Sequence, residues 1–213
     1  QALLDDYPCA YGFRVRLIKG IPIGSGMGGS AASAVAAVAA LNVFCNNSLS
    51  KVDLLRYVLQ SEQQVSGGIH PDNAVPGLWG GLTLSYSLQD VLPLPMDGLY
   101  AILLHPDIRV DTKDARHLLP QQVSFASYVN MSRKLAAWMA CLYTKDYSQW
   151  HTFMDDEVVE AVRMPLWPYY TKVKECALQS GSLGVCMSGS GPSVIAFSDD
   201  ADLAKTIAKQ MQA

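Results

Sequence analysis

Twelve residues constrain this chain more than any others: Pro22 to Ser33 read P-I-G-S-G-M-G-G-S-A-A-S, a glycine- and serine-dense stretch running straight into an alanine-rich one. Gly24, Gly26, Gly28 and Gly29 let the backbone take positive φ and approach a ligand with no Cβ in the way. The run Ala31 to Ala40 has high helix propensity, so the loop feeds a helix N-terminus whose free N–H groups and dipole favour anions. Ser25, Ser30 and Ser33 add hydroxyls. The pattern reads as a phosphate cradle.

The rest of the chain must supply a core for that loop. At 213 residues it can bury one as a single large domain or as two small ones. Charged residues are 16% and hydrophobic residues 50%, which places it among compact globular proteins and not disordered ones. A formal net charge of −3 without any Lys/Arg cluster argues against a nucleic-acid footprint. The longest apolar stretch, Ala34 to Leu41, is too short and too alanine-rich to span a bilayer. Nothing at the start reads as a signal peptide. Cys9, Cys45, Cys141, Cys176 and Cys186 are odd in number and form no C-x-x-C pair. They read as reduced thiols of a cytoplasmic protein.

Phe13 to Ile18, F-R-V-R-L-I, alternates at period two and predicts a half-exposed strand. Ser30 to Phe44 predicts a helix apolar all round, hence buried. Lys51 to Val65 predicts a second helix, N-capped by Ser50 and stopped by Gly67-Gly68. Gly81 to Leu88 and Leu99 to His105 read as strands. Helices are expected over Asp111 to Leu119, Gln122 to Tyr143, Tyr147 to Val162 and Tyr169 to Gln179. The end reads strand Leu183 to Met187, glycine turn Ser188 to Pro192, strand Ser193 to Phe197 and helix Ala201 to Met211. Pro93 and Pro95 suggest a boundary between lobes within Leu88 to Asp97.

Three stretches carry candidate chemistry. The first glycine loop also matches G-x-G-x-x-G over Gly24 to Gly29, with Asp53 near the spacing of a ribose-binding acid. That dinucleotide reading wants a buried apolar strand leading directly into the loop, whereas Arg14, Arg16 and Lys19-Gly20-Ile21-Pro22 intervene. Asp53 fits a helix first turn equally well. A Walker loop is excluded because no Gly-Lys-Ser/Thr follows. The second stretch places His70, Asp72 and Asn73 in a loop punctuated by Gly68, Pro71 and Pro76, eight residues after Glu62. Such polar groups either grip a small substrate or cap backbone as Asx turns. The third, Ser188-Gly189-Ser190-Gly191 between two strands, is another loop able to present amides.

Together these residues resemble a known family. P-I-G-S-G-M-G-G-S-A-A-S is similar to the second signature of the GHMP kinases, and S-G-S-G-P-S to their third. H-P-D-N-A-V-P-G-L-W-G-G resembles the substrate segment of homoserine kinases within that group. T-K-D-A-R-H-L-L-P and E-A-V-R-M-P-L-W-P extend the resemblance along essentially the whole chain. It implies an α+β, two-lobed GHMP kinase fold: a glycine-loop N-terminal domain over residues 1–92 and a ferredoxin-like C-terminal domain over 93–213. It implies transfer of the γ-phosphoryl of ATP, with Mg2+, to the side-chain hydroxyl of L-homoserine.

By the same resemblance ATP lies against Pro22, Ile23, Gly24, Ser25, Gly26, Met27, Gly28, Gly29, Ser30, Ala31 and Ala32, and against Ser188, Gly189, Ser190 and Gly191. Ser30 and Glu62 fall at the metal positions. His70, Asp72, Asn73, Thr112, Arg116 and Arg163 fall at the homoserine positions, with Asn73, Asp72 and Arg116 nearest the chemistry. A guanidinium grips a carboxylate in a fork, which suits Arg116 and Arg163. No dedicated base is implied, and Asp72 is the fallback proton acceptor.

Departures from the pattern are also present. Gly29 replaces the first serine of G-S-S, Met27 replaces leucine, and Ser190 and Ser193 replace alanine and threonine. Family members begin with a further signature and end with a further strand, so the chain reads as a fragment that is not by itself a competent kinase. A homodimer is implied by the family alone. A mevalonate or sugar kinase of the same group, an NAD-dependent oxidoreductase and a noncatalytic relative are the competing readings.

Overall fold

The structure, a computed structural model, describes residues 1–46, 49–66, 71–88, 90–108, 110 and 112–212, without the side chains of residues 65, 66, 112 and 113. Two compact units emerge: Gln1–Ile23 with Gly28–Leu94, and Gly24–Met27 with Pro95–Ala213.

The first unit contains α1 (Ala2–Asp6), α2 (Gly29–Phe44), α3 (Lys51–Ser66), α4 (Pro71–Trp79) and the hairpin β1 (Leu82–Ser85) with β2 (Val91–Leu94). Its core is built by α3, whose Leu54, Leu55, Val58 and Leu59 recur at helical spacing and pack with Leu3, Val38, Ala74 and Val75. The start of α3 is a reciprocal capping box. Asp53 N–H donates to Ser50 Oγ at 3.2 Å, and Ser50 N–H donates back to Asp53 Oδ2 at 3.0 Å. At Gly77 a Cβ would lie 3.2 Å from Val35 Cγ2, so glycine there lets α4 approach α2 closely. β1 and β2 pair antiparallel in the register Leu82 with Leu94 and Ser85 with Val91.

Four expectations are corrected here. Residues 13–18 form no strand; Val15, Leu17 and Ile18 are exposed, since period-two patterning says what a strand would look like and not where a partner lies. α2 is not buried all round: Ala31 and Val38 are enclosed, while Val43 and Phe44 are exposed, because α3 and α4 cover only part of its surface. The supposed loop at Asp72 and Asn73 is the first turn of α4. Pro71 opens that helix, where its missing N–H has no partner to lose. Lastly, Pro93 does not interrupt the strand pattern but sits in β2 opposite Thr83 of a two-stranded ribbon, where a proline is tolerated at an edge; the two units divide between Leu94 and Pro95, inside the 88–97 stretch.

The second unit comprises β3 (Tyr100–Leu104), α5 (Thr112–His117), α6 (Phe125–Thr144), α7 (Trp150–Phe153), α8 (Val159–Arg163), a 3-10 turn (Met164–Leu166), α9 (Tyr170–Gln179), β4 (Gly184–Met187), β5 (Val194–Ser198) and α10 (Ala201–Met211). The antiparallel sheet is ordered β3-β5-β4, with β5 central. Strand, helices, two strands and helix in this order match a ferredoxin-like arrangement. Alternation along β5 serves two faces. Val194 and Ala196 join Ile102, Val185, Trp167, Tyr170, Ala177 and Ile207 in one core. Phe197 instead meets Trp150, with ring centroids 5.2 Å apart, and Trp150 stacks on Trp138 of α6 at 5.6 Å. α10 is capped by Asp200, whose carboxylate accepts from the N–H groups of Asp202 and Leu203 at 2.9 and 2.7 Å.

Candidate active site

In the first unit the site is built around the start of α2. Gly28 holds a left-handed φ of 67° and caps the helix without a side chain, so nothing of its own covers the first-turn amides. A Cβ at Gly28 would lie 2.6 Å from Asn73 Oδ1, so the absence of a side chain is what admits Asn73 beside the loop. Asn73 in turn donates from Nδ2 to Asp72 Oδ2 at 3.2 Å. One residue further into α2, Ser30 Oγ donates to Glu62 Oε1 at 2.6 Å, tying the loop to the end of α3 across 32 positions of sequence. Glu62 is only 8% exposed, and Ser30 stays accessible. Gly28 and Ser30, Glu62, and the adjacent Asp72 and Asn73 thus come together from three stretches of sequence. His70 lies outside the described residues.

Lys19 was absent from the sequence-derived set. Its Cε would lie 3.4 Å from a Cβ on Gly29, which puts its stem over the first helical residue of the loop. Ile21 Cγ2 crowds the same point at 3.1 Å, so glycine instead of serine at 29 leaves room for both. The only signal in the sequence was a lysine three residues before Pro22.

In the second unit, residues 24–27 pack against the third glycine loop. Gly26 has φ 74°, and a Cβ on it would come within 2.6 Å of Gly191 O; one on Gly189, at φ 55°, would lie 2.8 Å from Gly26 O. Backbone meets backbone here, and only glycine permits it. Ser188 Oγ donates to Gly26 O at 3.0 Å, and Ser193 N–H points to Ser25 O at 3.4 Å. Ser188 N–H bonds Ser193 O at 2.8 Å and Gly191 N–H bonds Ser188 O at 2.8 Å, closing the turn around a cis Gly191–Pro192 bond. His105 Nδ1 lies 3.0 Å from the buried Ser193 Oγ.

Arg163, on α8, donates from Nη1 to Gly189 O at 2.8 Å. Burial pulls its guanidinium below the usual range; Asp156 opposes that, and the nearby positive charge of Arg116 adds to it. Thr112 begins α5, one turn before Arg116, and its side chain is outside the described set. Among the described residues no cluster of three or more His, Cys, Asp or Glu could enclose a metal. The dinucleotide reading loses both supports: no strand leads into the first loop, and Asp53 is committed to the Ser50 cap.

Residues 1–81 match the GHMP kinases N terminal domain, and residues 138–213 match GHMP kinases C terminal. The chain belongs to the GHMP kinases. Among individual members of that family, a homoserine kinase of Chloroherpeton thalassium is 41% identical over 203 residues, covering 94% of this chain and 64% of that protein. One of Saccharolobus solfataricus is 37% identical, covering 92% of this chain and 65% of its own length. The chain therefore spans just under two thirds of these relatives. The crystal structure of homoserine kinase from Cytophaga hutchinsonii superposes with a TM-score of 0.87 at 40% identity, over 91% of this chain and 62% of that one. A mevalonate kinase from L. major shares the GHMP fold at a TM-score of 0.71 and 20% identity, over 88% of this chain and 62% of its own. No helix among the described residues is long and apolar enough to cross a membrane.

Proposed function

We propose that the protein carrying this chain transfers the γ-phosphoryl of ATP to the side-chain hydroxyl of L-homoserine, giving O-phospho-L-homoserine on the way to threonine. The observation that carries this reading is the patch at the start of α2, where Ser30 meets Glu62 at 2.6 Å and Asn73 abuts Gly28, in a chain 41% identical to a homoserine kinase.

Phosphoryl transfer of this type depends on positioning and charge neutralisation. The first-turn amides of α2 and the glycine backbones of both signatures hold the nucleotide phosphates, and Lys19 adds a cation over Gly29. Ser30 and Glu62 offer a hydroxyl and a carboxylate, hard oxygens that fit Mg2+, an ion usually held by one or two carboxylates plus substrate phosphates and not by a full protein cage. When bound, Mg2+ neutralises phosphate charge. Arg116 and Arg163 grip the homoserine carboxylate; His70, Asp72, Asn73 and Thr112 line its remaining polar groups. Asn73 orients the hydroxyl, and catalysis proceeds without a strong base, Asp72 serving as fallback proton acceptor.

The test is transfer from ATP by the full-length protein to homoserine, mevalonate and galactose in parallel. Homoserine alone should turn over; mevalonate phosphorylation without homoserine phosphorylation overturns the reading. A homodimer in the cytoplasm is part of the same proposal, read by sedimentation velocity and by cell fractionation.

A further inference from the structure

Within the second unit one buried carboxylate has no part in the reaction described above. Glu160, on α8, is 7% exposed. Its Oε1 accepts from Met187 N–H at 2.9 Å and from the Tyr170 hydroxyl; its Oε2 accepts from Lys174 Nζ at 2.6 Å. A buried ionised group of this kind is expensive, and an apolar side chain of equal volume commonly serves stability as well or better. Lys174 does not depend on it, because Asp155 Oδ1 lies 3.0 Å away. What depends on Glu160 is the N–H of Met187, along with the hydroxyl of the buried Tyr170. Among the described residues β4 pairs with β5 alone, so this edge-strand N–H needs an acceptor from elsewhere, and Glu160 supplies it.

The position of that bond matters. Met187 precedes Ser188, and Gly189 follows it. Three residues along α8 from Glu160, Arg163 donates to Gly189 O at 2.8 Å. α8 thus holds the backbone on both sides of Ser188, whose hydroxyl donates to Gly26 O at 3.0 Å. Clearance there is small: a Cβ on Gly189 would already be 2.8 Å from Gly26 O. We propose that Glu160 is a positioning residue for nucleotide binding: by anchoring Met187 N–H it sets the third glycine loop so that Ser188 can fix the carbonyl of Gly26. The inference rests on the kinase reading, in which residues 24–27 and 188–191 face ATP.

Two variants of the full-length protein separate positioning from simple stability. Glu160→Met fills the space without an acceptor, whereas Glu160→Gln keeps a carbonyl for Met187; both remove the charge, and Lys174 keeps Asp155 in each. Glu160→Met should raise KM for ATP about tenfold, the scale of losing one loop-setting hydrogen bond, while kcat changes less than about threefold. Glu160→Gln should stay within about twofold of the parent KM. Amide exchange over residues 187–191 should accelerate about tenfold in Glu160→Met alone. Lowered Tm in both variants with unchanged KM and unchanged loop exchange overturns the proposal, leaving Glu160 a core carboxylate. If Glu160→Met does not fold, Glu160→Asp, which keeps the charge but is one methylene short, takes its place with the same expectation. If the parent protein phosphorylates no homoserine, the kinase reading has failed, and the exchange measurement still decides whether Glu160 sets the loop.

Discussion

Gly26 has little freedom to change. Its φ of 74° costs any L side chain strain, and a Cβ would also meet Gly191 O at 2.6 Å, a backbone atom that cannot step aside. Gly80 offers the matched control, with φ 77° and nothing within 4 Å of the added carbon. Gly80→Ala should therefore lose about 1 kcal/mol, the left-handed penalty alone. Gly26→Ala should lose at least about 2 kcal/mol from strain and collision together. Urea denaturation of both variants gives the comparison, and equal losses would mean the close approach carries no energy. On the proposed reading, in which no strong base acts, Asp72→Asn in the full-length protein should lower kcat by no more than about tenfold. A fall of several orders of magnitude with homoserine affinity intact would identify Asp72 as a true base. None of these close approaches was legible in the sequence. A glycine pattern announces freedom of the backbone, but which atom fills the space, Gly191 O for Gly26 or Asn73 for Gly28, is fixed by residues far along the chain.

Elements were legible where their ends carry their own chemistry. The expected bounds of α10 match the structure, where Asp200 caps it and its apolar positions repeat at helical spacing. α3 was placed to within one residue of its end for the same reason. α4 was hidden because Pro71, Pro76 and Gly77 are turn residues by composition; Pro71 stands at the helix start and Gly77 meets Val35 of α2, whereas Pro76 lies inside the helix. Residues 13–18 failed oppositely: the local pattern was clear, but a strand exists only through a partner. The cap of α3 allows a pH test. By accepting from the hydroxyl and N–H of Ser50, Asp53 is held below the ordinary carboxylate range in the folded state. A depressed folded value stabilises the protein above the unfolded value, near about pH 4, and that contribution disappears as pH falls through the folded value. Ser50→Ala should thus lower Tm at neutral pH, and the gap from the parent should narrow in acid. A gap independent of pH would show that Asp53 takes no part in the cap.

At the scale of the molecule, the sequence named two lobes through family resemblance more than through any linker, and the structure gives each unit a core with its own members. Leu55, 1% exposed, sits in the first with Val58 and Val75; Ile207, 0% exposed, sits in the second with Val185 and Val194. Among the described residues none belongs to both clusters. Truncating either side chain to alanine removes about 2–5 kcal/mol of local packing. Stability need not fall evenly, because cooperative units within one chain can open separately. Native-state hydrogen exchange can locate the loss residue by residue. Leu55→Ala should weaken protection in α2, α3 and α4 while leaving β3, β5 and α10 close to the parent, and Ile207→Ala should do the reverse. Equal loss across all of these elements from either substitution would mean that the chain opens as one cooperative body, and that its two cores are separate in composition alone.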